Sequence, residues 1–161
     1  MSKVISILMG SESDLETVNE TINVLKEFKV GYEVKVLSAH RTPKEVAEYV
    51  ETATQSGTKI FIAAAGMSAA LAGVVAAHTI LPVIGIPIET KNLKGLDSLL
   101  STVQMPPGVP VGCMSIGKAG AKNAALFALA ILGVNDIKIS AQLIKYKKQM
   151  RLKIKQTKIK I

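Results

Sequence analysis

The 161-residue sequence contains little of what disulfide scaffolds, metal centres and aromatic cores require. Its one cysteine, Cys113, excludes a disulfide within the chain and agrees with a reducing cytoplasm, which is the location we expect. The two histidines and the scattered acids give no metal-ligand spacing, so no metal is expected. Tryptophan is absent and aromatic residues make up 4% of the chain, so the core must be aliphatic.

The sequence also lacks the motifs of several common ligands and locations. It has neither GxxxxGK(S/T) nor GxGxxG, so nothing predicts ATP or dinucleotide binding, and we expect no cofactor. The apolar run at the N-terminus is too short for a signal peptide. The long apolar stretch 60–88 is interrupted by glycines, prolines and His78, which predicts a strand, a helix and a strand rather than a membrane span.

Positive charge is concentrated at the C-terminus. The formal net charge is +8, and residues 145–161 contain eight lysines and arginines and no acid. The rest of the chain carries twelve basic and twelve acidic side chains, so it is neutral. Because nucleic-acid-binding folds usually place basic residues across a folded face, we interpret 145–161 as a solvated basic C-terminal helix or tail. Nucleic acid is therefore not an expected partner.

Alternating apolar patterns predict the fold. Aliphatic runs predict strands at 3–9, 32–37, 59–64, 82–87 and 111–115. Helical spacing predicts helices after Ser13 and Pro43, at 68–78, 94–103 and 119–132, and from Asp136 onward. The alternation predicts a single α/β domain over 1–161, built as a three-layer αβα sandwich with a mostly parallel sheet.

Two patterns predict how the first helices begin. Ser13 followed by Glu16, and Thr42 followed by Glu45, both have the form of a capping box. Pro43 occupies the first helical position, which proline favours.

The most informative segment is 38–43, SAHRTP, which follows the second predicted strand. In open α/β sheets, ligands bind at the carboxyl ends of strands. His40 can exchange a proton near neutral pH, and the neighbouring Arg41 can bind a phosphate or carboxylate. The polar loop 10–14, GSESD, follows the first predicted strand in the same way. Together the loops predict a site for a small phosphorylated molecule with proton-transfer chemistry, although loop 10–14 alone could equally be a helix cap.

Other candidate residues carry weaker signals. His78 ends an alanine-rich helix, so we interpret it as structural or capping, and Cys113 reads as a small core residue. The small residues of 63–73 would let a ligand approach the backbone, but they would equally allow close packing of a helix on the sheet. Composition does not separate these two interpretations.

Five motifs in one order carry a family resemblance. They are GSESD at 10–14, SAHRTP at 38–43, GLDSL at 95–99, QMP at 104–106 and IGKAGAKNAA at 116–125. With this set the chain, from Val4 to about residue 145, resembles the class I N5-carboxyaminoimidazole ribonucleotide mutases of purine biosynthesis, the phosphoribosylaminoimidazole carboxylase catalytic subunit family. The basic tail lies outside the resemblance.

The resemblance implies a fold, an assembly and a reaction. It implies a flavodoxin-like sandwich assembled as a homo-octamer, with active sites between subunits and no membrane partner. The reaction moves a carboxylate from the exocyclic nitrogen of an imidazole ribonucleotide to ring carbon C4. The carbamate loses CO2, and C4 of the retained aminoimidazole ribonucleotide attacks that CO2. No metal, ATP or biotin is needed.

The resemblance also implies roles for individual residues. His40 would be the general acid/base, which protonates the departing nitrogen and later takes the C4 proton. The first two loops would hold ribose and phosphate, and the segment from Gly66 would cradle the carboxylate or CO2. The substrate-binding residues implied are Gly10, Ser11, Ser13, Asp14, Ser38, Ala39, Arg41, Gly66, Met67, Ser68 and Leu71.

One segment departs from the class I pattern. Many class I members read GGAAHLPG where residues 66–73 read GMSAALAG, so Ala70 stands at the position of a histidine. Other positions in this segment resemble class II enzymes, which carboxylate aminoimidazole ribonucleotide directly with CO2, whereas 41–43 favours class I. The alternatives are therefore a direct carboxylase, or a non-catalytic nucleotide-binding protein whose tail contacts nucleic acid.

Overall fold

Five aliphatic runs form one parallel sheet in the computed structural model, which describes residues 3–157. The strands are β1 (Ile5–Met9), β2 (Tyr32–Val36), β3 (Ile60–Ala65), β4 (Val83–Pro87) and β5 (Gly112–Cys113). Their order is β2-β1-β3-β4-β5, and each neighbouring pair is parallel. This is the doubly wound order of flavodoxin-like folds, so the predicted sandwich is confirmed.

Helices connect the strands. They are α1 (Leu15–Glu27), α2 (Pro43–Gln55), α3 (Leu71–Ala77), α4 (Leu96–Val103), α5 (Gly117–Gly133) and α6 (Ile137–Gln156). The chain divides into two compact units, Met1–Leu126 and Phe127–Ile161. The prediction of a single domain over 1–161 remains a prediction. No helix within residues 3–157 is both long enough and apolar enough to cross a bilayer.

In the first unit the sheet is covered on both faces. Leu8 and Phe61 point to one face and pack with Val46 and Val50 of α2 and with α3. Ile7 lies on the opposite face, because successive strand residues alternate. Full burial of an aliphatic side chain of this kind stabilises a fold by about 1.5–3 kcal/mol.

Helices α1 and α5 meet within the first unit through a buried polar contact. The hydroxyl of Thr21 donates a 2.7 Å hydrogen bond to the carbonyl of Ala121, and neither side chain is exposed. Because a buried hydroxyl needs a partner, this contact fixes the position of α1 and α5 relative to each other.

In the second unit, α6 begins where Asp136 caps it. The Asp136 carboxylate accepts hydrogen bonds from the amides of Lys138 (2.9 Å) and Ile139 (3.2 Å). The predicted basic C-terminal helix is thus helical to Gln156, and its last residues, 158–161, lie outside the described residues. None of its described side chains is buried.

The predicted helix 68–78 is shorter than expected, because α3 begins only at Leu71. The residues before it form tight turns: the Ala69 amide donates to the Met67 carbonyl, and the Ala70 amide to the Ser68 carbonyl, both at 2.8 Å. These two amides are therefore occupied by the chain itself.

Candidate active site

The carboxyl ends of β1 to β4 surround a cleft of about 940 Å³. All of the predicted site residues line it, from the three loops that follow β1, β2 and β3. They are Gly10, Ser11, Ser13, Asp14, Ser38, Ala39, His40, Arg41, Gly66, Met67, Ser68 and Leu71. The structure therefore brings together residues that are separated by up to 61 positions in sequence, while their roles toward a ligand remain predictions.

The loop after β1 is held by a capping box, but not by the predicted one. Ser11 accepts a hydrogen bond from the Ser13 amide (3.3 Å), and the Asp14 carboxylate accepts one from the Ser11 amide (3.1 Å), so a short 3-10 helix, Glu12–Asp14, precedes α1. The prediction of Ser13 with Glu16 was wrong. The Glu16 carboxylate instead pairs with Lys118 at 2.6 Å, which draws it away from the helix start.

Asp14 is a buried carboxyl group at the base of this loop, with 7% of its surface exposed. Burial raises its pKa above the ordinary value of 3.8. The Ser11 amide, the Ser13 hydroxyl and the charge of Arg41 oppose that shift in pKa. Asp14 is therefore a desolvated hydrogen-bond acceptor beside the cleft.

Arg41 links the first two loops. Its Nη2 donates to the carbonyl of Gly10 at 2.7 Å, and its Nε donates to the Ser38 hydroxyl at 3.2 Å. Among residues 3–157, the Nη1 group has no partner. The guanidinium is thus fixed by the protein on one side and can offer its other donors to an anion.

The predicted capping box at Thr42 does not form. The Thr42 hydroxyl turns back instead, accepting from the Ser38 amide (2.9 Å) and donating to the Ser38 carbonyl (3.1 Å). Pro43 does occupy the start of α2, as predicted. The hydroxyl that could have capped the helix therefore closes the turn that presents His40 and Arg41.

His40 is exposed at the cleft between these fixed residues. Its imidazole makes no hydrogen bond or ion pair with any other residue in 3–157. Both ring nitrogens are thus available to exchange a proton with a molecule in the cleft.

The loop after β3 supplies a wall of small side chains with two special backbone positions. A Cβ on Gly66 would lie 3.3 Å from the Thr90 methyl group, so a larger residue would fit only if Thr90 moved slightly. Met67 has φ 58, the left-handed region, which costs a residue other than glycine about 1–2 kcal/mol. Ala69 and Leu71 are buried, whereas 69% of Met67 is exposed.

The loop after β4 and the first turn of α4 complete the cleft, and the site predicted from the sequence did not include them. Glu89, Thr90, Lys91, Asn92 and Asp97 all line it. The Thr90 hydroxyl donates to both oxygens of Asp97, at 3.1 and 3.3 Å. The signal was available, because this polar run follows the fourth predicted strand just as 10–14 and 38–43 follow the first two.

The sequence that forms this cleft matches the model of a known protein family, and the match covers most of the chain. The model of the AIR carboxylase family matches residues 4–153. The chain belongs to the AIR carboxylase family. This membership confirms the resemblance carried by the five motifs. The range that the family model matches also includes residues 145–153 of the basic tail, which we had placed outside the resemblance.

Individual members of the AIR carboxylase family agree with this assignment. The chain is similar to the N5-carboxyaminoimidazole ribonucleotide mutase of Pyrococcus abyssi, with 53% identity over 91% of this chain and 83% of that protein. It is 53% identical to the mutase of Bacillus subtilis, over 89% of this chain and 88% of that protein. Its fold is similar to the crystal structure of Treponema denticola PurE, with a TM-score of 0.85, 29% identity and coverage of 93% and 92%.

Proposed function

We propose that this protein is an N5-carboxyaminoimidazole ribonucleotide mutase of purine biosynthesis. The observation that carries the proposal is the placement of an unpartnered imidazole, a half-occupied guanidinium and an apolar wall around one cleft. The names of the relatives that share about half of this sequence support it.

The first two loops bind the ribonucleotide part of the substrate. The free donors of Arg41 and the hydroxyls of Ser11 and Ser13 face a phosphate, for which charge-assisted hydrogen bonds are strong. The Asp14 carboxylate accepts from a ribose hydroxyl. Because the protein already holds these groups in place, little ordering is needed when the substrate binds.

His40 moves one proton out and back. As the bond between the exocyclic nitrogen and the carboxylate carbon breaks, the nitrogen keeps the electron pair and takes a proton from the imidazolium, leaving CO2. Carbon C4 then forms a bond to the CO2 carbon, and the neutral imidazole removes the C4 proton. The ring regains its aromaticity and His40 its proton, so the cycle needs no other acid or base.

The loop after β3 holds the CO2 between the two steps. Its wall is lined by Gly66, Ala70 and Leu71, which offer CO2 an apolar surface. Excluding water there keeps CO2 next to C4.

We also propose a cytoplasmic homo-octamer with active sites between subunits. The large apolar side chains that α6 exposes along its length support an assembly, because exposed apolar surface of this extent usually marks an interface. They include Ile137, Ile144 and Ile154, which are 85%, 68% and 76% exposed.

A second candidate is direct carboxylation of aminoimidazole ribonucleotide by CO2. The observation that favours it is Ala70, which lines the cleft where many mutases of this family have a histidine. The rest of the cleft serves both reactions, because C4 attacks CO2 in each.

One paired assay separates the candidates. Purified protein is given the carbamate in one reaction, and aminoimidazole ribonucleotide with bicarbonate in the other. Fast formation of the C4 carboxylate from the carbamate, with slow carboxylation at low bicarbonate, is the expected result. Efficient use of bicarbonate with the carbamate ignored would establish the carboxylase. Silence in both reactions would reject both candidates and leave a non-catalytic nucleotide-binding protein.

A further inference from the structure

The GLDSL motif at 95–99 helps to carry the family resemblance, but the proposed reaction gives it no task. In the structure the motif forms the N-cap and the first turn of α4. Three of its residues contact the short segment 88–90, which follows β4. These contacts are all made within one chain, so they do not depend on an assembly of subunits.

Two of the contacts hold the backbone of segment 88–90. The Ser98 hydroxyl, which is buried, donates a hydrogen bond to the carbonyl of Ile88 at 2.7 Å. Gly95 packs directly on Glu89, because a Cβ added to Gly95 would lie 3.2 Å from the Cα of Glu89. The motif thus fixes the path of the chain as it leaves β4.

The third contact joins two side chains that line the cleft. The Thr90 hydroxyl donates to the carboxylate of Asp97, whose two oxygens lie 3.1 and 3.3 Å away. Within residues 3–157 the Asp97 carboxylate has no other hydrogen-bond or ion-pair partner. This single bond therefore determines how the end of the segment is held against α4.

Segment 88–90 packs in turn against the loop after β3. The Ile88 amide donates to the carbonyl of Ala65 at 2.9 Å. A Cβ added to Gly66 would lie 3.3 Å from the Thr90 methyl group and 3.5 Å from the Cβ of Ile88. Because packed neighbours transmit displacements, the place of Gly66 in the cleft depends on the segment that the motif holds.

We infer that Gly95, Asp97 and Ser98 form a clamp that positions the wall of the cleft around Gly66, and that Asp97 acts through Thr90 as a positioning residue. This inference rests on the proposed mutase function, in which that wall holds CO2 between the two half-reactions. CO2 carries no charge and offers few strong contacts, so its retention depends on how closely the wall fits. Such a fit requires support from residues behind the wall.

Thr90→Val tests the clamp, because it removes the hydroxyl and keeps a branched side chain of similar size. A displacement of about 1 Å can reduce a rate about a hundredfold, so kcat for carbamate conversion should fall about ten- to a hundredfold. KM should change little, since the first two loops bind the ribonucleotide. Thr90→Ser keeps the hydroxyl and should keep most of the activity.

The fate of CO2 distinguishes positioning from a loss of folded protein. Each carbamate that loses CO2 ends as C4 carboxylate or, if CO2 escapes, as free aminoimidazole ribonucleotide. The ratio of the free ribonucleotide to the C4 carboxylate, corrected for decay without enzyme, does not depend on how much protein is folded. In Thr90→Val it should rise about tenfold, the lower end of the effect expected of a misplaced wall.

Asp97→Ala removes the same hydrogen bond from its other side, so it carries the test if Thr90→Val does not fold. The double variant Thr90→Val/Asp97→Ala should give the same product ratio as either single variant, because all three lack one shared bond. If Asp97→Ala lowered kcat far more than Thr90→Val, Asp97 would act on the substrate directly and the inference would be overturned.

Thr54→Val is the matched control. The Thr54 hydroxyl is also partly buried and contacts another side chain, the hydroxyl of Thr79 at 2.9 Å, but it lies at the amino edge of the sheet. The same loss of a hydroxyl there should leave the product ratio unchanged.

The outcomes separate this inference from the proposed function. If the unaltered protein forms no C4 carboxylate from the carbamate, the mutase function fails and the inference fails with it. If the unaltered protein is a mutase and a folded Thr90→Val keeps both kcat and the product ratio, only the inference is overturned. A Thr90→Ser variant that loses as much as Thr90→Val would overturn it as well, because the hydroxyl would not be the cause.

Discussion

The two histidines of this chain lie at opposite ends of the same sheet and are held differently. His40 follows β2 at the carboxyl edge, lines the large cleft and has no partner among residues 3–157. His78 ends α3 at the amino edge, and its Nδ1 lies 3.2 Å from the carboxylate of Glu51. It borders a smaller hollow of about 440 Å³.

The contrast shows that partners, rather than exposure, separate the two histidines, because both are exposed. His78 belongs to the contacts that join α2 and α3, which agrees with its interpretation as a structural or capping residue. Around His40 the neighbours are bonded and the histidine is not. Hydrogen bonds join Ser38 to Arg41 and Thr42, and Arg41 to Gly10, while the imidazole makes none within residues 3–157. A rigid frame around an unused functional group is the arrangement expected of a catalytic site.

The sharpest test of this contrast is His40→Asn. Because general acid/base catalysis typically contributes about 10²- to 10⁴-fold, kcat for carbamate conversion should fall by that factor while the melting temperature stays unchanged. His78→Asn is the matched control and should keep most of the activity. A His40 variant with a near-normal rate would remove the imidazole from the mechanism.

The next largest effect is expected at Arg41. Arg41→Ala removes a charged donor and the bond that ties the second loop to Gly10, so KM should rise about ten- to a hundredfold with little change in kcat. Arg41→Lys keeps the charge but loses the planar guanidinium with its paired donors, so its KM should lie between those of Arg41→Ala and the unaltered protein. Lys44→Ala, an exposed cation at the start of α2, serves as the control. A loss confined to kcat would contradict ground-state binding of the phosphate.

A smaller effect is expected at Asp14, where the substitution changes the pH dependence of stability and should make the variant relatively more stable as pH rises. Burial raises the pKa of Asp14, so the native state holds that proton more tightly than the unfolded chain does. Its contribution to stability is therefore present below the unfolded pKa and is lost as pH rises through the native pKa. Asp14→Asn lacks this loss, so its free energy of unfolding relative to the unaltered protein should increase between about pH 4 and pH 7.

Urea unfolding across that pH range measures the difference at Asp14. Glu12→Gln, in the same loop but exposed, is the control. If Asp14→Asn became relatively less stable as pH rises, the carboxylate would be stabilised rather than desolvated by its site.

The smallest effect is expected at the partnered histidine. Glu51→Gln changes the carboxylate that contacts the His78 imidazole, and exposed contacts of this kind contribute less than about 1 kcal/mol. Activity should be unchanged. A large loss of activity in this variant would mean that the amino edge of the sheet takes part in the reaction.

Much of the fold follows from the order of residues in the chain. The aliphatic runs at β1, β3 and β4 are buried except for Ala65 at the end of β3, and sequence and structure agree within one or two residues there. Strand β5 is shorter than predicted, with two residues instead of five. The apolar pattern identifies a run that can pair, but the extent of pairing depends on the neighbouring strand.

The two capping boxes that the sequence predicted, at Ser13 and at Thr42, fail for the same reason. A capping box needs a hydroxyl and a carboxylate that have no better partner, and sequence does not show the competition. Thr42 binds the Ser38 backbone, and Glu16 binds Lys118, which is about a hundred residues away. Similarly, the contact between Thr90 and Asp97 depends on where the loop after β4 meets the first turn of α4, which local pattern alone does not specify.

The parallel order of the strands also has a consequence for biosynthesis on the ribosome. β1 emerges early, but its partner β3 follows some fifty residues later, and the cleft draws residues from Gly10 through Asp97. At about 5–20 residues per second, the segments that surround the cleft take roughly 5–20 seconds to be made. The unfinished chain therefore has to keep its aliphatic strands apart from other nascent chains for that interval before any substrate can help to stabilise it.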